Sequence, residues 1–228
     1  LISKDIKKIN RNLFIIDPLR SLIAYKDTTV FMMQHIKKEN HQVFFCEPKD
    51  LYYSEGSVKV WFKEVMDPIN SLEDVGLSKS SALLEFDYVF MRKDPPVNEQ
   101  YMNALFILNQ AASDGCKVIN DPASLMTFNE KMFALQFSDF MPNTLVTCND
   151  EDFIEFGKNH QPFILKPLNG MGGESIYKIN KINKAEECII EQLTQQGMSA
   201  IVAQEFIPKN KDRKGLSSLE EAVKICDV

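Results

Sequence analysis

Short apolar runs alternate with amphipathic stretches along the first half of the chain. Strands are predicted over 13–16, 42–46, 88–91 and 117–120, and apolar spacing predicts helices over 28–39 and 101–112. Strands that alternate with helices favour βαβ units and a parallel sheet. We therefore expect an α/β domain in this part of the chain.

Two stretches interrupt this alternation. Runs rich in β-forming residues flank Glu55-Gly56, which is a turn signal, so a hairpin is predicted over 52–62. Residues 66–82 are polar and weakly patterned, which predicts a surface excursion.

The pattern changes after Pro122. Helices are predicted over 125–137, 151–158 and 185–196, and strands over 144–147, 163–167, 175–179 and 200–206. Asn149 or Asp150 is expected to cap the second of these helices, and Gly197 to stop the third. The tail from Lys209 has no strand-like run.

Charge and composition exclude several kinds of protein. The net charge of −6 argues against nucleic acid and anionic membrane surfaces as partners. The five cysteines are scattered without a CxxC pair, which favours reduced thiols over a zinc site or a disulfide framework. No apolar run reaches transmembrane length, and the first eight residues lack the apolar core of a secretory signal. A cytoplasmic protein is therefore expected.

The sharpest local motif is a glycine-rich stretch between two predicted strands. It reads Lys166-Pro167-Leu168-Asn169-Gly170-Met171-Gly172-Gly173. Glycines let a backbone approach a phosphate, successive N–H groups can form an anion nest, and the lysine supplies a positive charge. It is neither a Walker A motif nor a Rossmann fingerprint, because it does not open a helix. A glycine-rich hairpin with an exposed lysine is the structural alternative.

Further candidates stand on a predicted helix, at a strand end and in loops. Lys131 lies in a predicted helix, where a lysine is usually solvated. The last predicted strand runs into residues 204–207, whose backbone groups could hydrogen-bond a purine. Asp17 follows one buried strand, and Arg92 and Asp94 follow another, where ligands of open α/β sheets bind. Ordinary surface, strand-end and loop residues are the alternatives.

Six segments follow one another in an order that is typical of one protein family. They are DPL, YKDT, MRKDPP, NEKMFALQF, LKPLNGMGG and AQEFIP. From about residue 10 to residue 209 the chain resembles the bacterial glutathione synthetase family of the ATP-grasp superfamily. The resemblance implies an α/β fold, in which an N-terminal parallel-sheet domain precedes the first α+β part of an ATP-grasp domain. It also implies an ATP-dependent carbon–nitrogen ligase that uses Mg²⁺ and joins γ-glutamylcysteine to glycine through an acyl phosphate.

The resemblance assigns roles to the candidate residues. Lys131 and Lys166 would bind the phosphates of ATP. The loop that covers these phosphates would consist of Gly170, Met171, Gly172 and Gly173. The adenine slot would be lined, largely through backbone, by Gln204, Glu205, Phe206 and Ile207. Asp17, Arg92 and Asp94 would lie on the substrate side, and no catalytic residue or metal ligand is assigned.

The resemblance ends near Lys209. The family continues into a second half of the ATP-grasp domain with a Glu-x-Asn magnesium site, and no such motif follows Lys166. We therefore expect a truncated chain whose magnesium ligands lie in the absent part. The expected domains are an extension (1–9), a substrate-side α/β domain (10–124), a partial ATP-grasp domain (125–209) and a non-matching tail (210–228).

Two other functions stay open at this point. The chain is alternatively a non-catalytic ATP- or peptide-binding remnant, or one half of a split enzyme. A homo-oligomer or a complementing C-terminal fragment is then the expected protein partner, beside ATP, γ-glutamylcysteine and glycine as small ligands.

Overall fold

A computed structural model describes residues 8–68, 71–170 and 175–208 of the chain. It divides into two units, Leu1–Phe133 with Asn169–Glu174 and Ala134–Leu168 with Ser175–Val228. We call them the first and the second unit. The predicted tail over 210–228 and residues 1–7 of the predicted extension lie outside the described residues.

The first unit is built on one mixed sheet. Its strands are β1 (Arg11–Ile15), β2 (Gln42–Cys46), β3 (Leu51–Ser54), β4 (Ser57–Asp67), β5 (Ser71–Val75), β6 (Lys79–Ala82), β7 (Tyr88–Met91) and β8 (Val118–Ile119). Its helices are α1 (Thr28–Lys38), α2 (Glu99–Ser113), α3 (Pro122–Thr127) and α4 (Glu130–Phe133). The strand order is β3-β4-β2-β1-β7-β8, and β5 and β6 pair with β4. Because β2, β1, β7 and β8 run parallel, the predicted parallel sheet is confirmed as the centre of this larger sheet.

The apolar run at β1 reflects a sheet that is covered on both faces. Leu13 and Ile15 belong to the buried cluster that includes α2, whereas Phe14 and Ile16 belong to the cluster that includes α1. All four side chains are fully buried. A strand covered on both faces is apolar at successive positions, which is the pattern from which this strand was predicted.

The predictions around β4 have opposite outcomes. The hairpin is confirmed, since β3 and β4 pair there and Glu55 and Gly56 have φ angles of 53° and 79°. The surface excursion over 66–82 is wrong, because β5 and β6 lie there and pair antiparallel with β4. Strands β5 and β6 form through backbone hydrogen bonds to β4, which do not require apolar and polar residues to alternate. Half-exposed strands with polar side chains are therefore not detected from the apolar pattern of the sequence.

The second unit holds an antiparallel sheet with helices on one face. Its strands are β9 (Thr144–Thr147), β10 (Phe163–Pro167), β11 (Tyr177–Ile179) and β12 (Ile201–Glu205), in the order β11-β10-β12-β9. Its helices are α5 (Asp150–Asn159) and α6 (Lys184–Leu193). Phe153 of α5 and Ile190 of α6 form one buried cluster with Phe163 and Leu165 of β10.

Helix α5 is positioned by its cap and by a glycine. The side chain of Asn149 accepts a hydrogen bond from the N–H of Glu151 at 3.2 Å, so the predicted cap is confirmed. A Cβ atom at Gly157 would lie 2.9 Å from Cδ1 of Ile182 and 3.3 Å from Cε1 of Phe163. The absence of a side chain therefore lets the end of α5 approach the sheet closely.

The stretch over 125–137 is largely helical as predicted, but it is not one helix, because α3 ends at Phe128 and α4 is followed by a 3₁₀ helix (Ala134–Phe140). Phe128 has φ −102° and ψ 80°. The next residue, Asn129, accepts hydrogen bonds from the N–H groups of Lys131 and Met132 at 3.0 and 3.2 Å and so starts α4. An asparagine inside an apolar pattern competes for backbone donors and favours a new helix start.

Helix length also bears on membrane insertion. A helix that crosses a bilayer needs about 20 predominantly apolar residues. Within the described ranges, no helix combines the necessary length with the necessary apolar character.

Phe153→Ala is expected to destabilise the second unit. The change removes a fully buried ring and leaves a cavity, so the free energy of unfolding should fall by about 3–5 kcal/mol. Chemical denaturation followed by circular dichroism measures it. Ile154, the next residue of α5, is 40% exposed, so Ile154→Ala should change stability by less than about 1 kcal/mol. Equal losses for the two variants would contradict the burial of Phe153 in the core of the second unit.

Candidate functional site

Lys166 lies near the carboxyl end of β10, on the sheet face away from α5 and α6. Its neighbour Leu165 is buried in the cluster under these helices, so the alternation of a strand turns Lys166 to the other face. The half-buried ammonium donates a hydrogen bond to Oε1 of Gln204 at 2.8 Å. The predicted phosphate lysine and one predicted adenine-slot residue are therefore in direct contact.

The partner of Lys166 is a neutral oxygen. An ammonium has three donor hydrogens, and the hydrogen bond to Gln204 occupies one of them. Among the described residues of the second unit, carboxylates lie close to other basic side chains: Glu155 pairs with Lys158, and Oε2 of Glu205 lies 3.9 Å from Nδ1 of His160. A lysine that donates to a neutral amide oxygen keeps its positive charge uncompensated by that partner, which suits the binding of a phosphate.

Lys131 lies in α4 of the first unit and contacts the beginning of the glycine-rich loop. Its ammonium donates a hydrogen bond to the carbonyl oxygen of Gly170 at 2.8 Å. The remaining loop residues of the prediction, Met171, Gly172 and Gly173, lie outside the described residues. The lysine that the resemblance assigns to phosphate is thus held at the residue where the loop begins.

The strand end after Ala203 turns its side chains alternately to the two faces. Gln204 lies on the same face as Lys166, whereas Glu205 lies opposite Phe163 in the register of β12 and β10. The carboxylate of Glu205 accepts a hydrogen bond from Nδ2 of Asn143 at 2.7 Å. The side chains of Gln204 and Glu205 therefore lie on opposite faces of the sheet.

The backbone of this strand end is partly engaged. The N–H groups of Glu205 and Phe206 donate to the carbonyl oxygens of Asn143 and Pro162 at 2.9 and 3.0 Å. Ile207, the next residue, is 65% exposed. Purine recognition through backbone would therefore use groups of this segment other than these two N–H donors.

Asp17, Arg92 and Asp94 lie together in the first unit. Strand β1 leads into Asp17, and its parallel neighbour β7 leads into Arg92. Oδ2 of Asp17 accepts the N–H of Asp94 at 2.9 Å, and Oδ1 lies 2.8 Å from Nζ of Lys93. The loop after β7 is therefore organised around the Asp17 carboxylate.

Arg92 connects this loop to the start of α1. Its Nε donates to Oγ1 of Thr29 at 3.1 Å, and its Nη2 donates to Oγ1 of Thr28 at 2.9 Å. Asp27 caps α1 by accepting the N–H of Thr29 at 2.7 Å. Sequence reasoning did not single out Thr29 and Lys93, although YKDT and MRKDPP adjoin or contain them. Ligands of open α/β sheets bind beyond the carboxyl ends of the strands, and this rule indicates the loop. It does not indicate which side chains keep that loop in place.

Magnesium, which the resemblance implies, is not assigned to any described residue. Over the ranges that the structure describes, no group of three or more His, Cys, Asp or Glu side chains could hold a metal ion.

The buried cysteines are poorly suited to nucleophilic chemistry. Burial raises the pKa of the Cys116 thiol to about 11. Burial also raises the pKa of Cys46 well above its ordinary value, and nearby acidic groups add to the rise. A thiol that stays protonated at neutral pH is a weak nucleophile. Both residues are free cysteines, as are Cys148 and Cys188.

Comparison with known proteins identifies relatives of this chain. The family model for the N-terminal domain of prokaryotic glutathione synthetase matches residues 11–126, and that for its ATP-grasp domain matches residues 130–215. The glutathione synthetase of Prochlorococcus marinus subsp. pastoris is 36% identical over 202 residues, which cover 88% of this chain and 64% of that protein. The glutathione synthetase of Vibrio parahaemolyticus is 33% identical over 216 residues, covering 93% of this chain and 68% of that protein. This chain spans 64–68% of the length of these two relatives.

Solved ATP-grasp structures share the fold. A RimK-domain ATP-grasp protein from Sphaerobacter thermophilus matches with a TM-score of 0.55 at 19% identity, over 88% of this chain and 65% of that chain. The D-alanyl-alanine synthetase A of Vibrio cholerae matches with a TM-score of 0.53 at 12% identity, over 88% of this chain and 60% of that chain. The predicted fold class is thereby confirmed.

Asp17→Ala is expected to loosen the loop that follows β7. The change removes the acceptor of the Asp94 N–H and the partner of Lys93. Loss of one charge-assisted hydrogen bond should speed amide exchange at Asp94 by roughly ten- to a hundredfold. Exchange followed by NMR measures it. The N–H of Arg92, bonded to the carbonyl oxygen of Ile15 at 2.8 Å, is the internal control and should keep its rate. An unchanged exchange rate of the Asp94 N–H would contradict the role of Asp17 in ordering this loop.

Thiol labelling should discriminate between the cysteines. At pH 8 a disulfide reagent is expected to modify the exposed Cys188 much faster than the buried Cys116, because burial and a raised pKa both suppress the reactive thiolate. Mass spectrometry of labelled peptides measures the two rates. In denaturant the rates should become similar, and similar rates in the native protein would contradict the burial of Cys116.

Proposed function

Because this chain belongs to the prokaryotic glutathione synthetase family, we propose that it carries the ATP-binding side of a glutathione synthetase. In the proposed reaction, the terminal phosphoryl group of ATP is transferred to the cysteinyl carboxylate of γ-glutamylcysteine, which forms an acyl phosphate and ADP. The amine of glycine then displaces phosphate and forms the new amide bond. The two family models and the relatives at 36% and 33% identity support this proposal.

The observation that carries the proposal is the setting of Lys166. Its ammonium donates to the neutral amide oxygen of Gln204, and the glycine-rich loop begins four residues later, at Gly170. Both features suit the triphosphate of ATP, since the lysine adds positive charge and the glycines let the backbone come close. The resemblance assigns Lys131, whose ammonium donates to the carbonyl oxygen of Gly170, to the phosphates as well.

The cluster at the ends of β1 and β7 is proposed as part of the substrate side. γ-Glutamylcysteine and glycine each carry an ammonium and a carboxylate, so their recognition needs both signs of charge. Arg92 offers a planar guanidinium for a carboxylate, and Asp94 offers a carboxylate for an ammonium. Both carboxylate oxygens of Asp17 contact residues of the loop after β7. We therefore assign to Asp17 the role of holding this loop in place, and to Arg92 and Asp94 the contacts with the substrate.

The alternatives differ in what the full chain does with ATP. A release of ADP that requires both γ-glutamylcysteine and glycine, with glutathione as product, would establish the ligase. ATP binding without this turnover would favour the non-catalytic binding protein or half of a split enzyme. Magnesium as the companion of ATP stays a prediction from the resemblance, and a cytoplasmic location stays a prediction from the composition of the chain.

Lys166→Ala should weaken ATP binding much more than adenosine binding. The change removes a charge-assisted hydrogen bond to phosphate, which is worth roughly 1.5–3 kcal/mol, or about ten- to a hundredfold in affinity. Adenosine has no phosphate, so its affinity should stay the same. Calorimetric titration of the full chain with each ligand measures both values.

Lys158→Ala is the matched control for this experiment. It removes the same charge from α5, where Lys158 pairs with Glu155 at 2.6 Å. Lys178 would be a poor control, because its ammonium lies 3.6 Å from the ring centroid of Phe206 in the proposed adenine slot. If Lys166→Ala binds ATP as tightly as the wild type, the phosphate role is wrong. A parallel loss of ATP and adenosine would instead indicate damage to the sheet.

A further inference from the structure

Three polar side chains from neighbouring strands lie on the face of the second unit's sheet that points away from α5 and α6. In the register of the sheet, Gln204 of β12 lies opposite Thr144 of β9 on one side and Ile164 of β10 on the other. Lys166 stands two residues beyond Ile164 and so shares its face. Residues placed diagonally across two strands are within reach of long side chains, which brings Lys166 to Gln204.

These side chains form a continuous chain of hydrogen bonds. The hydroxyl of Thr144 donates to the carbonyl oxygen of Pro142 at 2.7 Å. Nε2 of Gln204 donates to Oγ1 of Thr144 at 3.1 Å. The ammonium of Lys166 donates to Oε1 of Gln204 at 2.8 Å. This series of hydrogen bonds therefore runs from the backbone carbonyl of Pro142 to Lys166, the lysine that is proposed to bind phosphate.

The groups at the two ends of this series determine which atom donates and which atom accepts in each hydrogen bond. A backbone carbonyl can only accept, so the single hydroxyl hydrogen of Thr144 is used on Pro142, and the hydroxyl must then accept from Gln204. An ammonium can only donate, so the amide of Gln204 must present its oxygen to Lys166. The two requirements select the same orientation of the amide. A residue at 144 without a hydroxyl would remove the first of these requirements and leave the amide of Gln204 held by Lys166 alone.

We propose that Thr144 and Gln204 are positioning residues that hold the ammonium of Lys166 where it meets a phosphate of ATP. The inference rests on the proposed function, since it presumes that Lys166 binds phosphate. A lysine side chain loses considerable rotational freedom when it is ordered. The chain of hydrogen bonds orders Lys166 before the nucleotide arrives, and preorganisation of this kind strengthens binding. Because every link is neutral apart from the lysine, the positive charge stays available to the phosphate.

The central variant is Thr144→Val, which keeps the β-branched shape that suits a strand and removes the hydroxyl. We expect ATP to bind roughly three- to tenfold more weakly, which corresponds to the loss of one neutral hydrogen bond, and adenosine to bind as to the wild type. Thr144→Ser keeps the hydroxyl and should restore most of the ATP affinity. Calorimetric titration of the full chain with ATP and with adenosine measures these values.

Thr147→Val is the matched control on the same strand. The hydroxyl of Thr147 donates to Oδ2 of Asp152 at 2.7 Å and takes no part in the chain that leads to Lys166. This variant is expected to leave the ratio of ATP to adenosine affinity unchanged, even where thermal unfolding shows a lower stability. An equal change of this ratio in both valine variants would overturn the inference.

A second measurement needs no nucleotide. An amine-acylating reagent modifies free lysines, and peptide mass spectrometry reports the rate at Lys166 with the exposed Lys158 as internal reference. Release of Lys166 from Gln204 should make its acylation faster in Thr144→Val and not in Thr144→Ser. A general loss of stability would also speed the acylation of Lys166 in Thr147→Val, so a rise confined to Thr144→Val assigns the effect to the hydrogen bond between Thr144 and Gln204.

The outcomes separate the inference from the proposed function. Weaker ATP binding with unchanged adenosine binding, restored by Thr144→Ser, supports the positioning role. If Thr144→Val matches the wild type in ATP affinity and in acylation rate, the inference is wrong and the proposed function stands. A wild-type chain that binds no ATP would overturn both, and this result differs from the previous one because it appears before any substitution is made.

Discussion

The second unit depends on one constraint, the alternation of side chains between the two faces of its antiparallel sheet. Residues such as Phe163 and Leu165 bury one face under α5 and α6, and the cluster they form with Phe153 holds the strands in register. The residues between them must then face the other way. Lys166 and Gln204 stand on that face because their neighbours are committed to the core. The packing of apolar side chains thus fixes where the polar ones stand.

The first unit depends on a different constraint, the direction of its central strands. Because β1 and β7 are parallel neighbours, they end at the same edge of the sheet, and the loops that follow them meet. Asp17 uses one oxygen for the N–H of Asp94 and the other for Lys93, so it joins the two loops. Arg92 then reaches the two threonines at the start of α1. A cluster with both signs of charge results from strand order and from one carboxylate.

The sequence predicted elements well where burial sets the pattern. The strands over 42–46, 144–147 and 163–167 have the predicted bounds, because one or both of their faces are apolar or β-branched. It failed for β5 and β6, where pairing to β4 decides the structure, and at Asn129, where a side chain captures backbone donors. Both failures involve hydrogen bonds whose partners are not visible in an apolar pattern.

The candidate site was predictable to the same extent. Glycines, lysines and strand ends indicate where a phosphate would bind, and the order of six segments indicates the family. The partners of these residues were not predictable, since the contact between Lys166 and Gln204 joins residues that are 38 positions apart. Thr144 carries no signal in the sequence, because a threonine in a strand is ordinary. Its role becomes visible only when the register places it opposite Gln204.

The same alternation explains why Lys166 meets an amide and not a carboxylate. Gln204 and Glu205 are adjacent in sequence, and the register turns Gln204 toward Lys166 while Glu205 lies opposite Phe163 and contacts Asn143. A shift of β12 by one residue would exchange the two side chains and place a negative charge beside the lysine. That carboxylate would pair with the ammonium and compete with a phosphate for it. The buried side chains on the helix-covered face oppose such a shift, because it would bring them out of the core. The core of the second unit therefore protects the positive charge on which the proposed function rests.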